Sequence, residues 1–166
     1  MKPTKFVNLI FLAAMCALLV SCAPKTRQSA GIMDNPEHHY LTGMKLIDEG
    51  RIAKAGKEFK LALELDPDYG PALSGKGLVQ VMQGESDGLD LISDGISEAD
   101  SDQEKIWCYN NQLRAYLTLG KSGEYSNSKM IRKAKDTLKK AKRTDSEAGG
   151  PYFFMGEIYL QALEFR

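Results

Sequence analysis

PEHHYLTGMKLIDEGRIAKAGKEFKLALELDPDY, residues 36–69, decides the fold of this chain. Apolar and small residues recur every three or four positions on both sides of Gly50, the pattern of two amphipathic helices joined by a tight turn. Gly43 and Leu46 fall on the first helix, and Ala55, Phe59 and Ala62 on the second. Pro67 lacks the N–H that would continue the second helix. Gly43 and Ala55 are small where two antiparallel helices cross closely, and Phe59 is expected to fill the space between them. Asn35 supplies an N-cap immediately before a proline at the first helical position.

The pattern returns down the chain with a period of about 34 residues. From Gly70 on, Ala72, Leu73, Gly77 and Gly84 repeat the first helix and its turn. Leu89, Ser93 and Ile96 then stand where small, aromatic and small residues are expected, so this unit is degenerate. Gly84, Gly88 and Gly95 lie in or beside its second helix and weaken it, by up to about 1 kcal/mol each in a helix interior. Ser101-Asp102-Gln103-Glu104 forms a capping box for a further first helix that carries Ile106, Tyr109, Leu113 and Tyr116 and stops near Gly120. Residues 121–128 form an inserted polar loop, after which Ala134, Leu138 and Ala141 restore the second-helix pattern. Pro151, Met155, Gly156 and Tyr159 open a fourth unit.

These units, near 36–69, 70–102, 103–148 and a partial 149–166, resemble tetratricopeptide repeats. The resemblance implies an all-α fold over residues 35–166, a right-handed superhelical array of antiparallel helix pairs amounting to about three and a half repeats. A generic antiparallel bundle shares the amphipathic periods but has no need of small residues at matched offsets. In the family the first helices line a groove that binds protein segments. Its groove positions fall here on Tyr40 and Met44, Ser74 and Leu78, Asn110 and Arg114, then Phe153 and Glu157. Asn110 and Arg114 would hold a peptide backbone or a carboxylate, with apolar contact from Tyr40, Met44, Leu78 and Phe153. The plain alternative for these positions is a solvated helix face.

Residues 1–21 differ from everything after them. Lys2 and Lys5 precede an apolar run from Phe6 to Val20 broken only by Asn8, and no acid occurs there. This is the layout of a secretory signal. As a helix the run would span roughly 22 Å, short of the roughly 30 Å hydrocarbon core, which argues against a permanent membrane span. Leu19-Val20-Ser21-Cys22 resembles the lipobox of bacterial lipoproteins. That resemblance implies cleavage between Ser21 and Cys22, diacylglycerol on the Cys22 thiol, and commonly an acyl chain on the new amino group. Two or three chains would anchor the protein stably where one is marginal. An ordinary signal with an incidental cysteine is the alternative. Ala23 lacks the aspartate that resembles an inner-membrane retention signal, so the expected location is the outer membrane, facing the periplasm. Residues 22–34 are small and polar and form a tether with a reach of about 20 Å.

Charge and chemistry exclude several functions. The chain carries 22 basic and 22 acidic side chains, and without Lys2 and Lys5 the acids are in excess by about two. Nucleic acid is therefore not an expected partner. Lys129, Arg132, Lys133, Lys135, Lys139, Lys140, Lys142 and Arg143 crowd one segment, which is read as a solvated helix face, with binding to anionic headgroups as the alternative. Once Cys16 and Cys22 are assigned, Cys108 stands alone and is expected to be a buried structural thiol. Residues 70–76 nearly spell a phosphate-binding loop, but Gly77 replaces the required Ser or Thr and no strand precedes it. His38 and His39 are adjacent, point to different sides of a helix and are not expected to bind metal without help from Asp34 or Glu37. No cofactor and no catalytic constellation is expected.

Residues 151–166 place Tyr152, Phe153, Phe154, Met155, Ile158, Tyr159, Leu160, Leu163 and Phe165 around nearly all sides of one helix, which asks for burial on both faces. Such an end implies either further chain or docking against another protein or another copy. The functional expectation is a non-enzymatic, lipid-anchored scaffold for a protein of an envelope assembly such as a pilus or secretion apparatus. Its alternatives are the non-catalytic repeat region of a longer envelope enzyme and a self-associating structural lipoprotein.

Overall fold

Asn35 starts the first helix through its own side chain. Its Oδ1 accepts the His38 backbone N–H at 2.7 Å, and Pro36 occupies the first turn, where its missing N–H costs nothing. The computed structural model describes residues 34–85 and 87–164, which hold seven helices and no strand. They are α1 Pro36–Asp48, α2 Ile52–Leu65, α3 Gly70–Met82, α4 Gly88–Glu98, α5 Asp102–Lys121, α6 Asn127–Thr144 and α7 Gly149–Glu164. The chain is therefore all-α over the described residues. The signal segment, Ser21, Cys22 and the tether up to residue 33 lie outside them.

The helices come in pairs, and the two kinds of turn between them differ. Gly50 ends α1 with φ +72°, a left-handed conformation that lets the Arg51 N–H reach the Leu46 carbonyl at 2.8 Å and satisfy a carbonyl the helix leaves open. Gly84 and Gly123 end α3 and α5 in the same region. The helices between, α2 and α6, end instead on extended Asp66 and Asp145, whose N–H groups reach Ala62 and Ala141. The alternation follows the pairing: α1 packs on α2, α3 on α4, α5 on α6, and each odd helix also packs on the two helices before it.

The core explains most of the small residues. Phe59, fully buried on α2, lies between Gly43 of α1 and Gly75 of α3, where an added Cβ would stand 2.5 and 2.6 Å from its ring. The α3·α4 crossing is tighter still. Gly70 faces Gly95 and Gly77 faces Gly88, backbone against backbone, so that a Cβ on any of the four would strike the opposite carbonyl oxygen.

That crossing corrects the reading of residues 88–96. The small–large–small set is present, but as Gly88, Ile92 and Gly95, one residue earlier than the fixed offset expects. Leu89 and Ile96 are half-buried and Ser93 is exposed. Gly88 and Gly95 are thus the contact surface of α4, while Gly84 belongs to the turn. The expected insertion at 121–128 is corrected too. It shrinks to residues 122–126, capped by the Ser126 hydroxyl accepting the Lys129 N–H at 3.3 Å, and the extra residues lengthen α5 and α6 to 20 and 18 residues. The cap expected at 101–104 forms with its return bond one residue early: Ser101 Oγ accepts the Glu104 N–H at 3.2 Å, and the Glu104 carboxylate accepts the N–H of Asp100, before the cap, at 2.9 Å.

Candidate functional site: a cleft between α1, α5 and α7

The long α5 places consecutive asparagines, Asn110 and Asn111, where three odd-numbered helices meet. Asn111 is fully buried. Its Nδ2 donates to Ser74 Oγ at 2.9 Å and to Tyr40 Oη at 3.4 Å, while Ser74 Oγ donates to the Pro71 carbonyl at 2.8 Å. The Asn111 Oδ1 atom is buried without a partner, and so is Asn110 Oδ1. Buried acceptors of this kind are uncommon in folded proteins, and each costs about 1–3 kcal/mol. Asn110 fits only because Gly150 faces it from α7, where an added Cβ would stand 2.5 Å from the amide nitrogen.

Aromatic and cationic side chains enclose these two amides. Tyr40 and Trp107 lie with ring centroids 5.3 Å apart, and Tyr40 also meets Phe59 at 6.0 Å and Tyr69 at 6.4 Å. Burial raises the Tyr40 hydroxyl far above its ordinary pKa, so it stays a neutral hydroxyl. Arg114 Nη2 donates to Asp48 Oδ1 at 2.8 Å, and its guanidinium lies 5.5 Å from the centre of the Phe154 ring. The result is an open cavity of about 230 Å³ lined by Tyr40, Leu41, Met44, Trp107, Asn110, Asn111, Arg114 and Phe154.

Tyr40, Met44, Asn110 and Arg114 of the expected groove meet in this cleft. Ser74 and Leu78 do not reach its surface: both are fully buried, Ser74 as the hydrogen-bond partner of Asn111 and Leu78 in the core. This corrects their assignment as groove residues, because a residue on α3 is covered by both α1 and α5. Phe153 points out to solvent at 63% exposure and its neighbour Phe154 takes the cleft position. Leu41, Trp107, Asn111 and Phe154 were not anticipated. The spacing of Trp107, Asn111 and Arg114, a turn apart along one helix face, is the signal that marks them.

Other expected chemistry finds a plain account. Cys108 is buried, donates to the Gly95 carbonyl at 3.5 Å, and has its pKa pushed up to about 12 by burial, which keeps the thiol protonated and poorly nucleophilic. His38 is exposed, whereas His39 is pinned between Glu58 and Asp34. Among the described residues no group of three or more His, Cys, Asp and Glu is arranged to hold a metal ion, and no helix is long and apolar enough to cross a membrane.

The fold and the cleft define an all-α chain of packed helix pairs with one side-chain-lined recess at the junction of its odd helices. Comparison with family models, with curated proteins and with solved structures finds no match in any of the three.

Proposed function

We propose that this chain is a lipid-anchored, non-enzymatic adaptor of the bacterial cell envelope, built of tetratricopeptide-like repeats in a right-handed superhelix, that holds a segment of a partner protein in the cleft between α1, α5 and α7. The observation that carries the reading is the pair of buried, unpartnered acceptors on Asn110 and Asn111 at the floor of an aromatic cleft. A peptide that displaces the side chains covering these atoms brings N–H donors to them at regular spacing. Arg114 does not act as a free carboxylate receptor, because Asp48 already holds it. It serves instead as a fixed wall with Phe154. The repeat reading is supported by the serial pairing of the helices and by the small–large–small sets at Ala55-Phe59-Ala62 and Gly88-Ile92-Gly95. The anchor rests on residues 19–22 and the signal before them.

Two experiments test the reading. A photo-crosslinking amino acid at Leu41, on the cleft rim, should form a discrete adduct in native membranes, and one at Leu61, exposed on α2, should not. Absence of any Leu41 adduct, or equal adducts from both, would count against peptide capture. For the anchor, Cys22→Ser should abolish fatty-acid labelling and release the protein from membranes, and continued attachment would defeat it.

A further inference from the structure

The α6·α7 edge is made of different material from the cleft. On α7, Phe153, Leu160 and Leu163 are 63%, 58% and 62% exposed, and Tyr152 and Tyr159 stand beside them. Single exposed leucines are ordinary, but a contiguous apolar strip on one helix marks a contact surface. Alongside it runs α6, rich in lysine and arginine with Asp136 as its one acid, and among the described residues none of these cations joins an ion pair.

The cations and the apolar strip are in register. Lys135 Nζ lies 6.0 Å from the centre of the Tyr159 ring and Lys142 Nζ 5.8 Å from that of Tyr152, so two antiparallel helices form two matched lysine–tyrosine pairs one heptad apart. Between the start of α6 and the end of α7 a hollow of about 620 Å³ opens over Ile131, Tyr159 and Leu163. At its rim Asn127 Nδ2 donates to the Ala162 carbonyl at 3.2 Å.

We infer that this edge is a docking surface for an anionic lipid bilayer. The two surfaces of the molecule differ in what they leave unsatisfied. The cleft carries buried acceptors that need a partner with fixed donors, and none of the unpartnered buried side-chain atoms lies on the α6·α7 edge. The edge offers only undirected attraction: apolar surface for acyl chains, tyrosines suited to the headgroup level, and lysines whose stems run along the apolar strip while their ammonium groups reach phosphate. A fluid interface satisfies such a face without any defined geometry. The inference does not rest on the peptide reading of the cleft or on lipid at Cys22, and its test leaves both unchanged.

The full chain is partitioned onto vesicles of phosphatidylcholine alone and onto vesicles with roughly one-third phosphatidylglycerol, a composition that gives an anionic surface. The gain in binding on the anionic vesicles is the readout, because the apolar residues 6–20 contribute to both. Lys135→Glu with Lys142→Glu should reduce that gain at least tenfold, while Lys54→Glu with Lys57→Glu, the same charge change on α2, should leave it within about twofold. Leu160→Gln with Leu163→Gln should lower binding to both kinds of vesicle. Lys135→Gln with Lys142→Gln repeats the test if the glutamate pair loses helix by circular dichroism. Equal effects from the α2 and α6 pairs would reduce the attraction to net charge and overturn the inference. So would an unchanged anionic gain in the α6 variants, the result expected if an acidic protein or a second copy covers this edge.

Discussion

The α3·α4 crossing and the α1/α5/α7 cleft were made from opposite materials. At the crossing, four glycines bring two backbones into contact and leave no space between the helices. At the cleft, Tyr40, Trp107, Asn110, Arg114 and Phe154 hold three helices apart and leave a cavity with unpaired acceptors. Close-packed backbone contributes rigidity and has nothing further to bind. Large side chains around a recess cost stability where polar atoms stay unpaired, and that cost is returned when a ligand pairs them.

The sharpest way to break the contrast is to put one methyl group into the crossing. Gly77→Ala should destabilise by about 3 kcal/mol, because the Cβ meets the Gly88 carbonyl and neither backbone can yield without moving its helix. The thermal midpoint should fall by roughly 10 °C. Gly56→Ala is the control. Its Cβ would meet only Val79 Cγ1, at 3.5 Å, so it should raise stability by about 0.5–1 kcal/mol through helix propensity and a less flexible unfolded chain. If both substitutions behave alike in calorimetry, the crossing is looser than its geometry requires.

The cleft should respond the other way. Asn110→Leu removes a buried, unpaired acceptor and replaces it with a side chain of similar size, so stability should stay within about 1 kcal/mol or rise. Crosslinking from Leu41 should nevertheless be lost. A large destabilisation in chemical unfolding would show that Asn110 is structural, and the contrast between a saturated crossing and an unsatisfied recess would collapse.

How far the sequence reveals this contrast depends on which forces act locally. Caps and turns depend on a few adjacent residues, so Asn35, Gly50 and the Ser101–Glu104 box were legible, and so was the burial of Gly43, Ala55 and Phe59. The α4 set was misplaced because a fixed repeat offset assumes a fixed spacing from the turn glycine, and Gly88 follows Gly84 by four residues where Ala55 follows Gly50 by five. Cleft residues were half legible. Tyr40, Met44, Asn110 and Arg114 follow from the positions the tetratricopeptide resemblance implies, but Ser74 and Leu78 hold the corresponding positions of α3 and are buried, since α3 is covered from both sides. No pattern within one helix records how many neighbours it will have. Phe153 and Phe154 are equally apolar, and only the seating of α7 against α5 decides which one enters the cleft.

The smallest expected effect lies at the other end of α1, where polar groups are neither excluded nor left unpaired. His39 Nδ1 stands 2.8 Å from Glu58 Oε2 and Nε2 3.1 Å from Asp34 Oδ1. Partial burial works against a charge on the ring, but the hydrogen bonds and charges of Glu58 and Asp34 outweigh it and hold the pKa above the ordinary histidine value. Both nitrogens can donate only when the ring is protonated. A pKa higher in the folded than in the unfolded chain means that this stabilisation is complete below about pH 6.5 and is lost as pH rises through the folded value. The stability difference between the native protein and His39→Ala, from urea midpoints, should therefore be larger near about pH 5 than near about pH 8.5, by roughly 0.5–1 kcal/mol given how exposed Asp34 is. Glu58→Gln should erase more of that difference than Asp34→Asn, since Glu58 is the nearer and the less exposed partner. A difference that is flat across this range would mean that the ring is held by shape alone.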